Sequence, residues 1–190
     1  MIRPIHIYPD PVLRDPTDDV EQDMPGLQQL IDDLIETMHN AAGIGLAAPQ
    51  VGESLRVFVV DLSPMAEDLE EAERSSLPPQ PMVFINPEIV DESENLCAFE
   101  EGCLSIPDIR EDVERSDSIQ VRYLDRDFQQ AELTVFGLLA RVVQHEYDHL
   151  EGILFVDRIS AFKRRLLRRR LRELAKGEVA AEYPVLQSRA

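Results

Sequence analysis

Residues 144–149 read Gln-His-Glu-Tyr-Asp-His. If this stretch is helical, its two histidines, four positions apart, lie one turn above each other. His145 and His149 can then share one metal ion, and Glu146, next to the first ligand, is placed to act on a water held by that ion. The opposing reading is a surface helix with two incidental histidines. The chain has only four histidines, so two falling at this spacing favour the metal. A catalytic site of this kind needs a third protein ligand and an open position. Position 155, where a longer zinc-protease motif would place another histidine, holds Phe, and Glu173 falls in a strongly basic stretch. His6 and His39 read as solvated or packing residues. Cys103 follows Gly102 and precedes Pro107, a setting that implies a sharply shaped, exposed backbone, and a thiolate there would be a strong soft ligand. Spacing favours Cys103 over Cys97 without settling the choice; Cys97 reads as a small apolar residue in a strand-like run.

Gly43-Ile-Gly-Leu-Ala-Ala48 matches a dinucleotide-binding pattern on paper. Its context is reversed, because a helix precedes it and a strand follows, so a nucleotide role is discarded. What remains is a tight turn, or a backbone that approaches a ligand closely.

The elements that must position these groups follow from periodicity. Leu27 to Ala42 reads as a helix, with Leu27, Leu30, Ile31, Leu34, Ile35 and Met38 on one face and Asp32, Asp33 and Glu36 on the other. Leu55–Asp61 reads as a strand, as do Val83–Ile85, Glu88–Val90, Ile119–Leu124 and Glu132–Phe136. Gly137 to Leu150 is a second helix, carrying the histidines and stopped at Gly152, and Ala161 to Ala175 is a third. Residues 62–81 read as an acidic, Pro-rich, mobile insertion with room for a short helix. The expected fold class is α+β: short antiparallel strands packed around a central metal-binding helix, with a C-terminal amphipathic helix over residues 160–176. Residues 1–190 read as a single metallohydrolase domain.

The formal charge of −18 argues against DNA and against non-specific nucleic-acid binding. No stretch approaches the roughly 20 apolar residues of a membrane span, and no leader is visible, so the cytoplasm is the expected compartment. Two cysteines do not make a disulfide framework. Lys163 and Lys176 are the only lysines. Such an acidic, lysine-poor surface suits a salt-rich cell interior, and compositional drift explains it equally well.

Three segments, Gly43-Ile-Gly-Leu-Ala-Ala-Pro-Gln50, Glu101-Gly-Cys-Leu-Ser105 and Gln144-His-Glu-Tyr-Asp-His-Leu-Glu-Gly152, resemble the three signature motifs of peptide deformylases and stand in the family's order. The similarity runs from about Tyr8 to about Arg158. It implies that Cys103, His145 and His149 hold one divalent ion, Fe(II) in the cell and Zn(II) or Ni(II) as alternatives in purified protein. It further implies Glu146 as general acid/base, with Gln50 and the Leu104 N–H stabilising the oxyanion. Ile44 and Gly45 would pair with the substrate backbone, Leu138 and Val142 would line the methionine pocket, and Arg110 would contact residues further along. The implied substrates are N-formylmethionyl nascent polypeptides, which lose formate. Bacterial relatives dock on the ribosome through their tail helix, which makes such a contact an expectation for the basic helix here. The competing expectation is a helix packed along Leu166, Leu167, Leu171 and Leu174, with arginines neutralised by the protein's own carboxylates. Arg141 departs from the family pattern: it either snorkels to solvent or alters preference beyond the first residue. An endopeptidase and an inactive binding module are the rival functions. The missing downstream histidine opposes the first, and the complete ligand set opposes the second.

Overall fold

The structure is a computed structural model that describes residues 1–178 and 181–187. In chain order the strands are β1 (Ile5–His6), β2 (Gly45–Ala47), β3 (Val57–Val60), β4 (Met82–Glu92), β5 (Leu96–Cys103), β6 (Ile106–Ser116), β7 (Ser118–Leu124), β8 (Gln130–Phe136) and β9 (Val185–Leu186). The helices are α1 (Leu27–Asn40), α2 (Glu71–Ser76), α3 (Gly137–Leu150), α4 (Phe155–Arg158) and α5 (Ala161–Ala175). The fold is therefore mixed α and β, with short strands and a few helices.

One sheet has the order β2-β3-β4-β7-β8, with every neighbouring pair antiparallel. Alternation along β3 explains how both faces of this sheet are covered. Val57 and Val59 share a buried cluster with Leu30, Ile31, Leu34 and Met38 of α1. Phe58 and Val60 share another with Leu139, Val142 and Val143 of α3. A separate antiparallel hairpin, β5–β6, covers the far side of α3. Ile106, Ile109 and Val113 of that hairpin pack with Phe155, Leu167, Leu171 and Leu174 of α4 and α5. A short parallel pair, β1–β9, ties the segment after α5 back to the start of the chain.

Several expectations need correction. The strands expected at Val83–Ile85 and Glu88–Val90 are one strand, β4, with a register break between Ile85 and Glu88. Asn86 sits at that break with φ of 47°, and its carboxamide bonds Val20 N and O at 2.8 and 2.9 Å. α1 ends at Asn40, two residues early, because Ala42 adopts a left-handed conformation. Asp33 is buried, not on the solvent face, and accepts from Arg3 at 2.9 Å and Gln29 at 2.8 Å. Leu166 is 65% exposed, so only Leu167, Leu171 and Leu174 seat α5.

The 62–81 segment is docked on the protein. Leu62 is fully buried, α2 forms within the segment, and Glu73 accepts a 2.8 Å hydrogen bond from Leu138 N. That bond matters because Phe136, at the N-cap of α3, offers no side-chain acceptor to the first turn. A carboxylate there also faces the positive end of the helix dipole. Gly137, with φ of 61°, leaves room for it: a Cβ would lie 1.6 Å from Glu73 Oε1. Replacing Glu73 with Ala should cost about 1 kcal/mol, and replacing it with Gln less, read as lower urea midpoints at unchanged slope.

Candidate metal centre

α3 carries His145 and His149 on one face, with ring centroids 5.2 Å apart. The strand β5 ends at Cys103, whose Sγ lies 3.2 Å from His149 Nε2. One donor atom from each of Cys103, His145 and His149 lies within 4.8 Å of the others. One sulfur and two imidazole nitrogens suit zinc, ferrous iron or another borderline divalent ion, so the donor set fits a single metal. Burial holds the His149 imidazole well below its ordinary pKa, which keeps it neutral, the form that ligates. His6 and His39 lie elsewhere, paired with Asp10 at 2.8 Å and Asp61 at 2.7 Å. Cys97 is in β5 as a strand residue, but its side chain is exposed rather than packed.

The groups beside the ligands come from the three motifs. Glu146 is 4% exposed, burial pushes its pKa up to about 7, and its Oε2 has no hydrogen-bond partner among the described residues. It lies against Gly45, where a Cβ would stand 2.3 Å from Glu146 Oε1, so only glycine fits. Gln50 is buried; its Oε1 accepts from Ala47 N at 2.8 Å. That bond turns its amide nitrogen toward Ser105 Oγ at 3.1 Å and Cys103 Sγ at 3.6 Å. Leu104 touches the first motif at Gly43, where a Cβ would meet its Cδ1 at 2.8 Å. Ile44 is half-buried, and its carbonyl accepts from Asp61 N at 3.0 Å.

The remaining sequence-derived positions are more scattered. Val142, one turn before His145, is buried. Leu138 lies about two turns before His145, half-buried beside Leu69 and Leu77 of the 62–81 segment. Arg110 is exposed on β6 opposite Gly102, with its guanidinium 3.9 Å from Glu100.

Sequence reasoning missed the charges that hold these pieces together. Glu101 is 5% exposed and accepts from both Nε and Nη2 of Arg115, at 2.6 and 2.9 Å, and from Arg141 at 2.8 Å. Its Oε2 also lies 2.9 Å from His145 Nδ1. Burial alone would raise its pKa, but Arg115 and His145 together outweigh burial and hold it well below the usual carboxylate range. Asp148 joins the network through Arg115 at 2.7 Å and Arg158 at 2.5 Å. Arg141 does not snorkel to solvent: it is buried and donates to Val113 O, Cys97 O and Glu101. The available signal was the run of charges, Arg141, Glu146 and Asp148, on a helix too apolar at its neighbouring positions to be a surface helix.

Glu101 beside Nδ1 holds the ring of His145, and a proton kept on Nδ1 would leave Nε2 for an ion shared with Cys103 and His149. Replacing Glu101 with Ala should weaken metal binding about 10- to 100-fold in chelator competition. Unchanged affinity would remove Glu101 from this role.

Comparisons with known proteins span the stretch that holds all three segments. The family model described as polypeptide deformylase matches residues 2–165. The peptide deformylase of Salinibacter ruber is 60% identical over 186 residues, covering 98% of this chain and 95% of that protein. The peptide deformylase of Christiangramia forsetii is 49% identical over 185 residues, covering 96% and 94%. Among solved structures, a peptide deformylase from Legionella pneumophila is 40% identical, with a TM-score of 0.79 over 94% of this chain and 98% of that one. The Ehrlichia chaffeensis peptide deformylase in complex with actinonin is 36% identical, with a TM-score of 0.81 over 94% and 99%. This chain belongs to the peptide deformylase family, metal-dependent hydrolases that remove the formyl group from N-formylmethionyl polypeptides.

Proposed function

We propose that Glu146 carries the proton in this deformylation, beside one ferrous ion held by Cys103, His145 and His149. The observation that supports this most directly is the Glu146 carboxylate itself. It is buried, adjacent in sequence to His145, pushed up to about 7 by burial, and unpartnered at Oε2 among the described residues. A base with that affinity takes a proton near neutral pH and gives it up again. When bound, the divalent ion supplies Lewis acidity, which makes water a nucleophile at neutral pH and polarises the formyl oxygen.

Glu146 accepts the proton as water attacks the formyl carbon. It then delivers that proton to the departing amine, so formate and a free N-terminus result. Charge developing on the formyl oxygen faces the Gln50 amide and the Leu104 N–H, each worth about 3 kcal/mol of barrier. The Gln50 amide is preset for this by its bond from Ala47 N. Ile44 and Gly45 stand at the outer edge of the five-stranded sheet, since β2 is its terminal strand. An extended peptide can add there as a further strand. Val142 and Leu138, on the His145 side of α3, would take the methionine side chain, and Arg110 would meet residues beyond it.

The same donor set suits zinc or nickel, and iron is the reading for the cell. Residues 1–190 act as one domain in the cytoplasm, and no described helix is long and apolar enough to cross a membrane. The basic α5 is read as a ribosome contact. Lys163 pairs with Glu111, Arg164 with Asp157 and Arg169 with Glu173, whereas Arg165 and Arg168 meet no carboxylate among the described residues.

Glu146→Ala should abolish formate release from a formyl-Met peptide while metal content stays at one ion per chain. Turnover within tenfold of the parent would take Glu146 out of the mechanism. Changing Arg165 and Arg168 together to Gln should reduce co-sedimentation with ribosomes at low salt and leave deformylation of free peptides unchanged. Substitution is the right tool here, because removing α5 would also strip Leu167, Leu171 and Leu174 from the core.

A further inference from the structure

The two residues between β5 and β6, Leu104 and Ser105, form the turn that joins Cys103 to Ile106. Its orientation matters twice. Cys103 is the sulfur donor, and the Leu104 N–H belongs to the peptide group that follows it. Ser105 is fully buried, but Leu104 is only half-buried against the α1 cluster, so packing constrains the first residue of the turn less than the second. Hydrogen bonds hold it at three points. Ser105 Oγ accepts from Gln50 Nε2 at 3.1 Å, and Ser105 O accepts from Tyr8 N at 2.8 Å. The third bond comes from elsewhere: the Tyr183 hydroxyl donates to Leu104 O at 2.7 Å.

Tyr183 lies beyond residue 165, where the family match ends. The chain brings it back deliberately. After α5, β9 pairs in parallel with β1, through Ile5 N to Pro184 O at 2.9 Å and Ile7 N to Leu186 O at 3.1 Å. Gln187 anchors the same stretch by donating to Leu174 O at 2.8 Å. The Tyr183 ring packs against the cluster that contains α1, so the hydroxyl approaches Leu104 from a fixed base. A 2.7 Å O–H···O contact is at the favoured distance for such a bond.

We propose that Tyr183 is a positioning residue for catalysis: by holding the Leu104 carbonyl, it fixes the Leu104–Ser105 peptide and, through the Leu104 α-carbon, steadies the Cys103–Leu104 peptide whose N–H is aimed at the oxygen that gains charge. This rests on the oxyanion role given to Leu104 above. The carbonyl of Leu104 and its N–H share one α-carbon, so rotation of the unpinned turn swings the donor away. Misplacement of this size at a reacting centre commonly costs one to two orders of magnitude in rate.

The test compares the metal-loaded full chain with its Tyr183→Phe variant, which keeps the ring and removes only the hydroxyl. On a formyl-Met peptide, kcat should fall about tenfold, with KM within about twofold and metal stoichiometry unchanged. Amide hydrogen exchange in the Leu104–Ile106 turn should speed up. A kcat within twofold of the parent overturns the proposal, as does a loss that merely tracks metal release or unfolding. If the parent chain itself releases no formate, the functional reading fails. The exchange measurement then decides on its own: faster turn exchange in the variant supports the pin, and equal exchange removes it.

Discussion

A sulfur atom and an imidazole separated by 46 positions in sequence must come within a few ångströms of each other and stay there. The constraint is met by a buried carboxylate. Glu101 sits two residues before Cys103, takes both arms of the Arg115 fork, and holds the ring of His145. It therefore belongs at once to the hairpin and to the helix. Arg141 adds a second tie, reaching from α3 to carbonyls on both strands of the hairpin. Burying such charges is costly, and removing one partner from a buried cluster commonly destabilises by about 3–5 kcal/mol. The cluster survives because every oxygen and guanidinium in it is paired, which is the condition under which buried ions are tolerated.

With that joint in place, the rest of the architecture supplies walls. The sheet presses α3 from one side through Phe58, Phe84 and Val121, and the hairpin presses from the other. The glycines of the first motif then make sense as clearance. Gly43 makes room for Leu104 and Gly45 for Glu146, so a bare backbone runs beside the reactive groups.

The sequence made the local features legible and hid the nonlocal ones. The helices over 137–150 and 161–175 could be read because their apolar positions repeat at 3.6 residues. Two of the candidate ligands, His145 and His149, were legible from their spacing, which favoured Cys103 over Cys97 without settling the choice, and the motif resemblance supplied the third. The long β5–β6 hairpin was not visible. Its outer strand is exposed at Leu96, Phe99 and Glu100, so no clean alternation marks it. Arg141 and Asp33 were misplaced for one reason: a charge is assigned to the surface unless its partner is known, and those partners lie 40 and 30 positions away. The pairing of the segment after α5 with β1, like the docking of the 62–81 segment, depends on contacts that no local pattern announces.

The distribution of charge over the molecule has an orienting effect. Eight of the nineteen basic side chains lie in residues 161–176, against a single acid there, Glu173, while the whole chain carries −18. α5 is seated on the outside of the hairpin by three leucines, so its exposed arginines concentrate positive charge on one helix of a negative molecule. The protein is in effect a permanent electric dipole. In the field of any large polyanion it experiences a torque as well as a net repulsion, and the torque turns the arginine stripe forward before contact. At physiological ionic strength this torque acts only within about 8 Å of the charged surface. It therefore governs the last step of an approach rather than the search that precedes it.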